Sequence, residues 1–166
     1  MMRWWLFAVA LLVTFVVQTT MRPLVAWSWL DLLLALALVC GLTAPAPEVR
    51  LAAFFVGLAQ DIGTGGPLGV HALALGLAGL LLTYLREQVN RHLWWVRWLI
   101  ASAAAGPGQF LVLLHQRFLQ GDAHSWRQMA VGGLVTSLVA GLLAAVVVGL
   151  PAAYRRRRHR HAAFRW

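Results

Sequence analysis

The chain has 166 residues, of which 61% are hydrophobic and 11% charged, and its mean hydropathy is +0.73. Soluble globular domains carry about 25% charged residues, so this composition excludes an ordinary soluble domain. The net charge of +9 comes from arginines, with no lysine, and most of these arginines flank apolar runs. Membrane topology and contact with anionic lipid explain such a pattern better than nucleic acid, which we do not expect as a partner.

Apolar runs between polar or helix-breaking residues predict about six transmembrane helices, because one helical crossing needs about 20 residues. The fold class is therefore an all-α integral membrane protein with a single transmembrane domain over residues 1–153. The predicted helices cover residues 4–21, 28–43, 48–61, 68–86, 94–118 and 129–150. We expect Pro107 to break or kink the fifth helix and Pro151 to end the sixth. The third helix is short, so five crossings remain an alternative.

The arginines also predict the orientation, since cytoplasmic loops retain positive charge. With six crossings and an inside N-terminus, Arg22, Arg117 and Arg127 lie outside and every other arginine lies inside. Both termini are then cytoplasmic. Residues 154–166 form a basic tail, which we expect to act as a topological anchor and a contact for anionic lipid. The tail contains four consecutive arginines, Arg155, Arg156, Arg157 and Arg158.

A polar, glycine-dense segment from Asp61 to His71 interrupts the apolar chain between the third and fourth helices. It contains several residues suited to a tight turn, which are Gly65, Gly66, Pro67 and Gly69. Glycine adopts backbone conformations barred to other residues, and proline suits the first turn of a helix. We expect Asp61 to cap free amides in the turn or to pair with His71 or an arginine, near the outer membrane interface. A proton or cation relay is the alternative, but relays need several ionisable groups, and Asp61 and His71 are the only deep pair that we predict.

Small residues recur at every fourth position along the sixth helix and lie on one face of it. They are Gly133, Ser137, Gly141, Ala145 and Gly149. Such a ladder lets two helices approach closely. It predicts helix packing, either within this chain or against the helix of a partner.

Residues typical of catalysis do not form a recognisable pattern. Ser102, Ser125 and Ser137 have no neighbouring histidine and acid in a suggestive arrangement. Cys40 is a lone cysteine inside an apolar run, and His115 and His124 lack the spacing of a metal site. We therefore predict that the protein is not an enzyme and holds neither a metal nor a cofactor.

The segments Gly57-Leu58-Ala59-Gln60-Asp61 and Gly65-Gly66-Pro67-Leu68-Gly69-Val70-His71-Ala72-Leu73 resemble the most recognisable part of the MreD family, the bacterial rod-shape-determining membrane proteins. The likeness extends to chain length, to helix number and to the place of the motif before a long apolar helix. The motif itself covers about 15 residues, and the other helices are too generic to add to it.

The resemblance implies a non-enzymatic scaffold of the cell-elongation machinery in the bacterial inner membrane. Its expected partners are an MreC-like protein, the actin-like MreB, and the glycosyltransferase RodA with its transpeptidase. The fold of the family is thought similar to the substrate-binding subunits of energy-coupling-factor vitamin transporters, which supply the alternative function. Those subunits carry a small-x-x-x-small pair on their first helix, whereas here Leu12 follows Ala8 and Thr14 follows Ala10 at that spacing.

Overall fold

A computed structural model describes residues 3–21, 30–65, 67–89, 93–119 and 126–163. Over these ranges the chain forms helices and no strand, which confirms the predicted all-helical fold. The six helices are α1 (Trp4–Met21), α2 (Leu32–Thr43), α3 (Ala46–Thr64), α4 (Val70–Gln88), α5 (Trp94–Leu119) and α6 (Trp126–Ala163).

Four helices of the described chain are long and apolar enough to cross a membrane, namely α1, α4, α5 and the part of α6 from Trp126 to Gly149. The protein is therefore a membrane protein. Helix α2 is equally apolar, but its 12 residues span about 18 Å, less than the hydrocarbon thickness of about 30 Å. Helix α3 has 19 residues and is less apolar, because it contains Glu48, Arg50 and Asp61.

The boundaries of α2 and α3 differ from those predicted. Helix α2 begins at Leu32 rather than at residue 28, because Asp31 is its N-cap and accepts a hydrogen bond from the Leu34 amide at 3.0 Å; residues 28 and 29 lie outside the described ranges. Helix α3 starts two residues earlier, since Pro47 sits in its first turn, where a missing N–H costs no helical bond. It then continues past Asp61 to Thr64, and its C-cap Gly65 has a left-handed φ of 65°.

Two prolines predicted to interrupt helices lie inside them. Helix α5 is continuous through Pro107, and α6 continues past Pro151 to Ala163, so the predicted end at Pro151 is wrong. Beside Pro107, a Cβ added to Gly108 would lie 2.6 Å from the Ala74 carbonyl oxygen, so close packing on α4 supports this turn of α5. After Pro151 the chain continues with alanines and arginines, which are strong helix formers.

Helix α2 lies in the centre of the bundle. Its buried side chains include Leu34 and Leu38, which are 0% and 1% exposed, and it contacts each of the other five helices. Helix α1 lies at the edge, packs on α2 and α3, and buries Phe7 and Gln18. The central helix is thus the short one, and the helices around it supply the surface that a membrane would contact.

The ends of the first four helices gather in two groups. One group, here called the polar end, comprises the last turns of α1 and α3 and the first turns of α2 and α4. At the opposite end, the Arg86 Nη1 donates to the carbonyl oxygens of Gly41 at 2.9 Å and Ala44 at 2.7 Å. This guanidinium satisfies carbonyls at the end of α2 that have no partner within the helix.

Candidate functional site

Asp61 lies in the last turn of α3 and caps the first turn of α4. Its side chain is 1% exposed. The Oδ2 atom accepts hydrogen bonds from the backbone amides of Gly69 at 2.7 Å and Ala72 at 3.2 Å, and Oδ1 accepts from the His71 amide at 2.9 Å. Helix α4 has a glycine at its N-cap, which has no side chain to fill this role. Helix α3 therefore supplies the cap that α4 lacks.

The His71 side chain binds the same carboxylate. Its Nδ1 lies 2.8 Å from the Asp61 Oδ1, which fits an imidazole that carries a proton on Nδ1 and donates it to the carboxylate. Asp61 thus makes both contacts expected from the sequence, the cap and the histidine pair. With four N–H groups pointing at its two oxygens, the carboxylate is engaged in joining α3 to α4.

The turn between α3 and α4 depends on two glycines with positive φ, Gly65 at 65° and Gly69 at 107°. Both values lie in a region that side chains disfavour, which explains why glycine stands at these two positions. Pro67 lies between them, and Gly66 is outside the described residues. We call the segment from Asp61 to His71 the corner.

Gly57 has a role that its place in the motif did not reveal. It lies one turn before Asp61, and a Cβ at this position would collide with the His71 carbonyl oxygen and the backbone of Ala72. The missing side chain lets the backbones of α3 and α4 touch where α4 begins. That approach brings the α4 amides within reach of Asp61.

A second polar cluster at the polar end joins α1, α2 and α3. The Gln18 Nε2 donates to the Asp31 Oδ1 at 3.2 Å, the Gln60 Nε2 donates to the Asp31 Oδ2 at 2.6 Å, and the Gln18 Oε1 accepts from the Leu33 amide at 2.8 Å. Asp31 is 9% exposed, and both glutamines are more buried still. This cluster, here called the glutamine clamp, consists of Gln18, Asp31 and Gln60.

The glutamine clamp was not predicted from the sequence. Besides the expected pair of Asp61 and His71, the described residues include a second buried carboxylate, Asp31. An aspartate directly before an apolar run is a helix-start signal, so its N-cap role was open to prediction. Its contact with Gln18 and Gln60 was not, because these residues lie 13 and 29 positions away in the chain.

The glutamine clamp and the corner meet in the last turn of α3. Gln60 faces α2, while its neighbour Asp61 faces α4. Two adjacent residues thus connect the end of α3 to the starts of α2 and α4, and Gln18 links α1 to the same start of α2. Broken backbone and polar groups within a membrane need such internal partners, since lipid offers none.

The small residues of α6 lie against α5. Gly141 leaves space that Ser102 fills, and a Cβ at Gly133 would lie 2.8 Å from the Leu113 Cδ1. Ser137 is 3% exposed, and its hydroxyl donates to the Gly133 carbonyl oxygen at 2.8 Å. The inner part of the ladder therefore packs within the chain.

The arginines of the tail and the histidines His115 and His124 fall partly outside the described residues. The backbone at Arg155, Arg156, Arg157 and Arg158 belongs to α6, and their side chains lie outside the described set. His115 lies on α5, and His124 is outside the described residues. Among the residues that are described, no group of three or more histidine, cysteine or acidic side chains could hold a metal ion.

These observations define an all-helical membrane protein whose candidate site is a buried polar network at one end of the bundle. The chain matches no protein-family model, and neither a curated protein nor a solved structure matches it.

Proposed function

We propose that this chain is a non-enzymatic scaffold of the bacterial cell-elongation complex, similar to the MreD family, and that it binds an MreC-like protein. It would then lie in the cytoplasmic membrane with both termini inside and act in lateral peptidoglycan synthesis beside RodA, its transpeptidase and MreB. The observation that carries the proposal is the corner, where the Asp61 carboxylate accepts from three amides and the His71 ring. In this proposal the carboxylate acts as a structural group that holds the shape of the turn.

Two exposed leucines in and beside the corner also support the proposal. Leu68 and Leu73 are 71% and 70% exposed, although they flank the buried contacts of Asp61. A surface fixed by internal hydrogen bonds loses little conformational entropy when a partner binds to it. We therefore assign the MreC-like partner to Leu68 in the corner and Leu73 just after it, and in this assignment Asp61 holds both leucines in place.

Co-purification of the MreC-like protein with the tagged full chain from detergent-solubilised membranes tests this assignment. Leu68→Ala and Leu73→Ala should lower the recovery of the partner. Leu80→Ala is the matched control, because Leu80 is also an exposed leucine of α4, 45% exposed, but lies further from the corner. Equal recovery from wild type and both corner variants, at equal amounts of inserted protein, would overturn the proposal.

The vitamin-transporter alternative needs a pocket for a small molecule. The cleft beside the glutamine clamp has room for about one water-sized particle, whereas ligand pockets usually have about 300–1,000 Å³. This cleft is too small for a vitamin. Binding of radiolabelled vitamins to the purified protein distinguishes the two functions, because saturable binding would favour the transporter subunit.

A further inference from the structure

The side chain of Asp31 is buried in the glutamine clamp with no cation bound to it among the described residues. It is 9% exposed, and the Leu33 and Leu34 side chains that follow it are 2% and 0% exposed. An ionised Asp31 would therefore be a buried charge without a counter-ion, and buried charges in proteins are normally paired or bound to a metal ion.

The ionisable groups on the neighbouring helices do not compensate Asp31. Helices α3 and α4 bring Asp61 and His71 to the polar end, and these two side chains bind each other. The described part of α1 has no ionisable side chain at this end. In the last turns of α5 and the first turn of α6, none of the described cationic or titratable groups pairs with Asp31; they are His115, Arg117 and Arg127.

The contact between Asp31 and Gln60 can form in two ways. An ionised Asp31 accepts from the Gln60 NH₂ group, and the Gln60 Oε1 is then a buried acceptor with no partner. A protonated Asp31 instead donates its Oδ2–H to the Gln60 oxygen, with the amide turned round. Both orientations fit the same space, because the two ends of a glutamine amide have nearly the same shape, and the hydrogen bonds decide between them.

Three observations favour the protonated form. The Asp31 Oδ2 and the Gln60 amide are 2.6 Å apart, a distance typical of O–H···O bonds and shorter than N–H···O bonds, which are about 2.7–3.2 Å. The Gln60 oxygen gains a partner, and an NH₂ group unpaired in its place costs less than a buried charge without a counter-ion. The Asp31 Oδ1 accepts from the Gln18 side chain and the Leu34 amide, as the carbonyl oxygen of a neutral acid can.

We propose that Asp31 holds a proton in the folded protein at neutral pH, and that the glutamine clamp is a pH-sensitive lock for α1. Among the described helices, α1 packs on α2 and α3 alone, and its Gln18 side chain binds both Asp31 and the Leu33 amide. Loss of the Asp31 proton to solvent leaves a charge without a counter-ion in the clamp, so a rise in pH weakens the attachment of α1. The proton site is independent of the proposed scaffold function.

The first experiment is infrared spectroscopy of the purified full chain at neutral pH, in a maltoside detergent, which has no ester carbonyl to overlap the signal. The wild type should show the C=O stretch of a neutral carboxylic acid, and Asp31→Asn should lose it. Glu87→Gln removes an exposed acid of α4, so it should keep the acid band and lose only carboxylate bands. Absence of the acid band from the wild type would overturn the proposal, whether or not Asp31→Asn folds. An acid band that persists in a folded Asp31→Asn variant would overturn it as well.

The second experiment tests the lock. Phe15 of α1 lines the cleft beside the clamp, so Phe15→Cys in a Cys40→Ala background reports the opening of α1 through its labelling by a thiol reagent. Asp31→Asn is the matched control, because it offers an N–H to Gln60 and an oxygen to Leu34, as the neutral acid does, and has no proton to lose. Stability that depends on a bound proton is lost as the pH rises, so labelling should increase more steeply with pH when Asp31 is present. The same increase in both backgrounds would overturn the lock, since the chemistry of the thiol is common to them.

Discussion

Replacement of Asp61 by alanine should destabilise the junction of α3 and α4 by more than the loss of a single hydrogen bond would. The change removes the acceptor for the backbone amides of Gly69, His71 and Ala72 and for the His71 ring. A buried donor left without a partner costs about 1–3 kcal/mol. With the three amides counted at the low end of that range, since the turn is only part-buried, Asp61→Ala should lower the free energy of unfolding by about 3 kcal/mol.

The assay is unfolding of the full chain in mixed micelles with increasing denaturing detergent, followed by tryptophan fluorescence. His71→Ala removes the ring and leaves the three amides capped, so it should cost about 1 kcal/mol. Glu87→Ala, at an exposed acid near the end of α4, should change stability by less than about 0.5 kcal/mol. If Asp61→Ala unfolds at the same denaturant fraction as Glu87→Ala, the cap contributes nothing and the reasoning is wrong.

Two further predictions concern helix packing and orientation. Gly57→Val should severely reduce the amount of folded protein, because the new side chain would collide with the α4 backbone. Gly76→Ala should instead raise the free energy of unfolding by about 0.5–1 kcal/mol, because nothing lies within 4 Å of its Cβ. The same unfolding assay tests both variants, and a Gly57→Val variant as stable as wild type would contradict the close approach of α3 and α4. In a Cys40→Ala background, an impermeant thiol reagent added to intact cells should label a single cysteine at position 123 and not one at position 163. Labelling at both positions would refute the six-crossing orientation.

Local features of the sequence were sufficient to predict that the chain folds into membrane helices. The bounds of α1 were predicted at Trp4 and Met21, and the start of α5 at Trp94, as the structure has them. An apolar run predicts a membrane helix because each of its residues adds its own apolar surface to the part of the chain that is buried in lipid. The corner was also visible, since a buried aspartate followed by glycines and a proline has few other uses than a capped turn.

Local reasoning failed at Pro151, which does not end its helix, and at Pro107 the structure overturned only the expected break and left the kink untested. Pro107 and Pro151 remove a backbone donor wherever they occur, yet α5 and α6 continue through them. Whether a helix tolerates that loss depends on its neighbours, and for Pro107 the neighbour is α4, which packs closely on Gly108.

By itself, the sequence determined that this protein is a helical membrane protein with one polar corner, because hydrophobic length and turn chemistry are properties of neighbouring residues. Tertiary structure alone decided that Gln18 and Gln60 close on Asp31, and that Gly57 brings α4 to Asp61. Those contacts join residues far apart in the chain, and their partners are fixed by the way the helices pack. No pattern along the sequence encodes that packing directly.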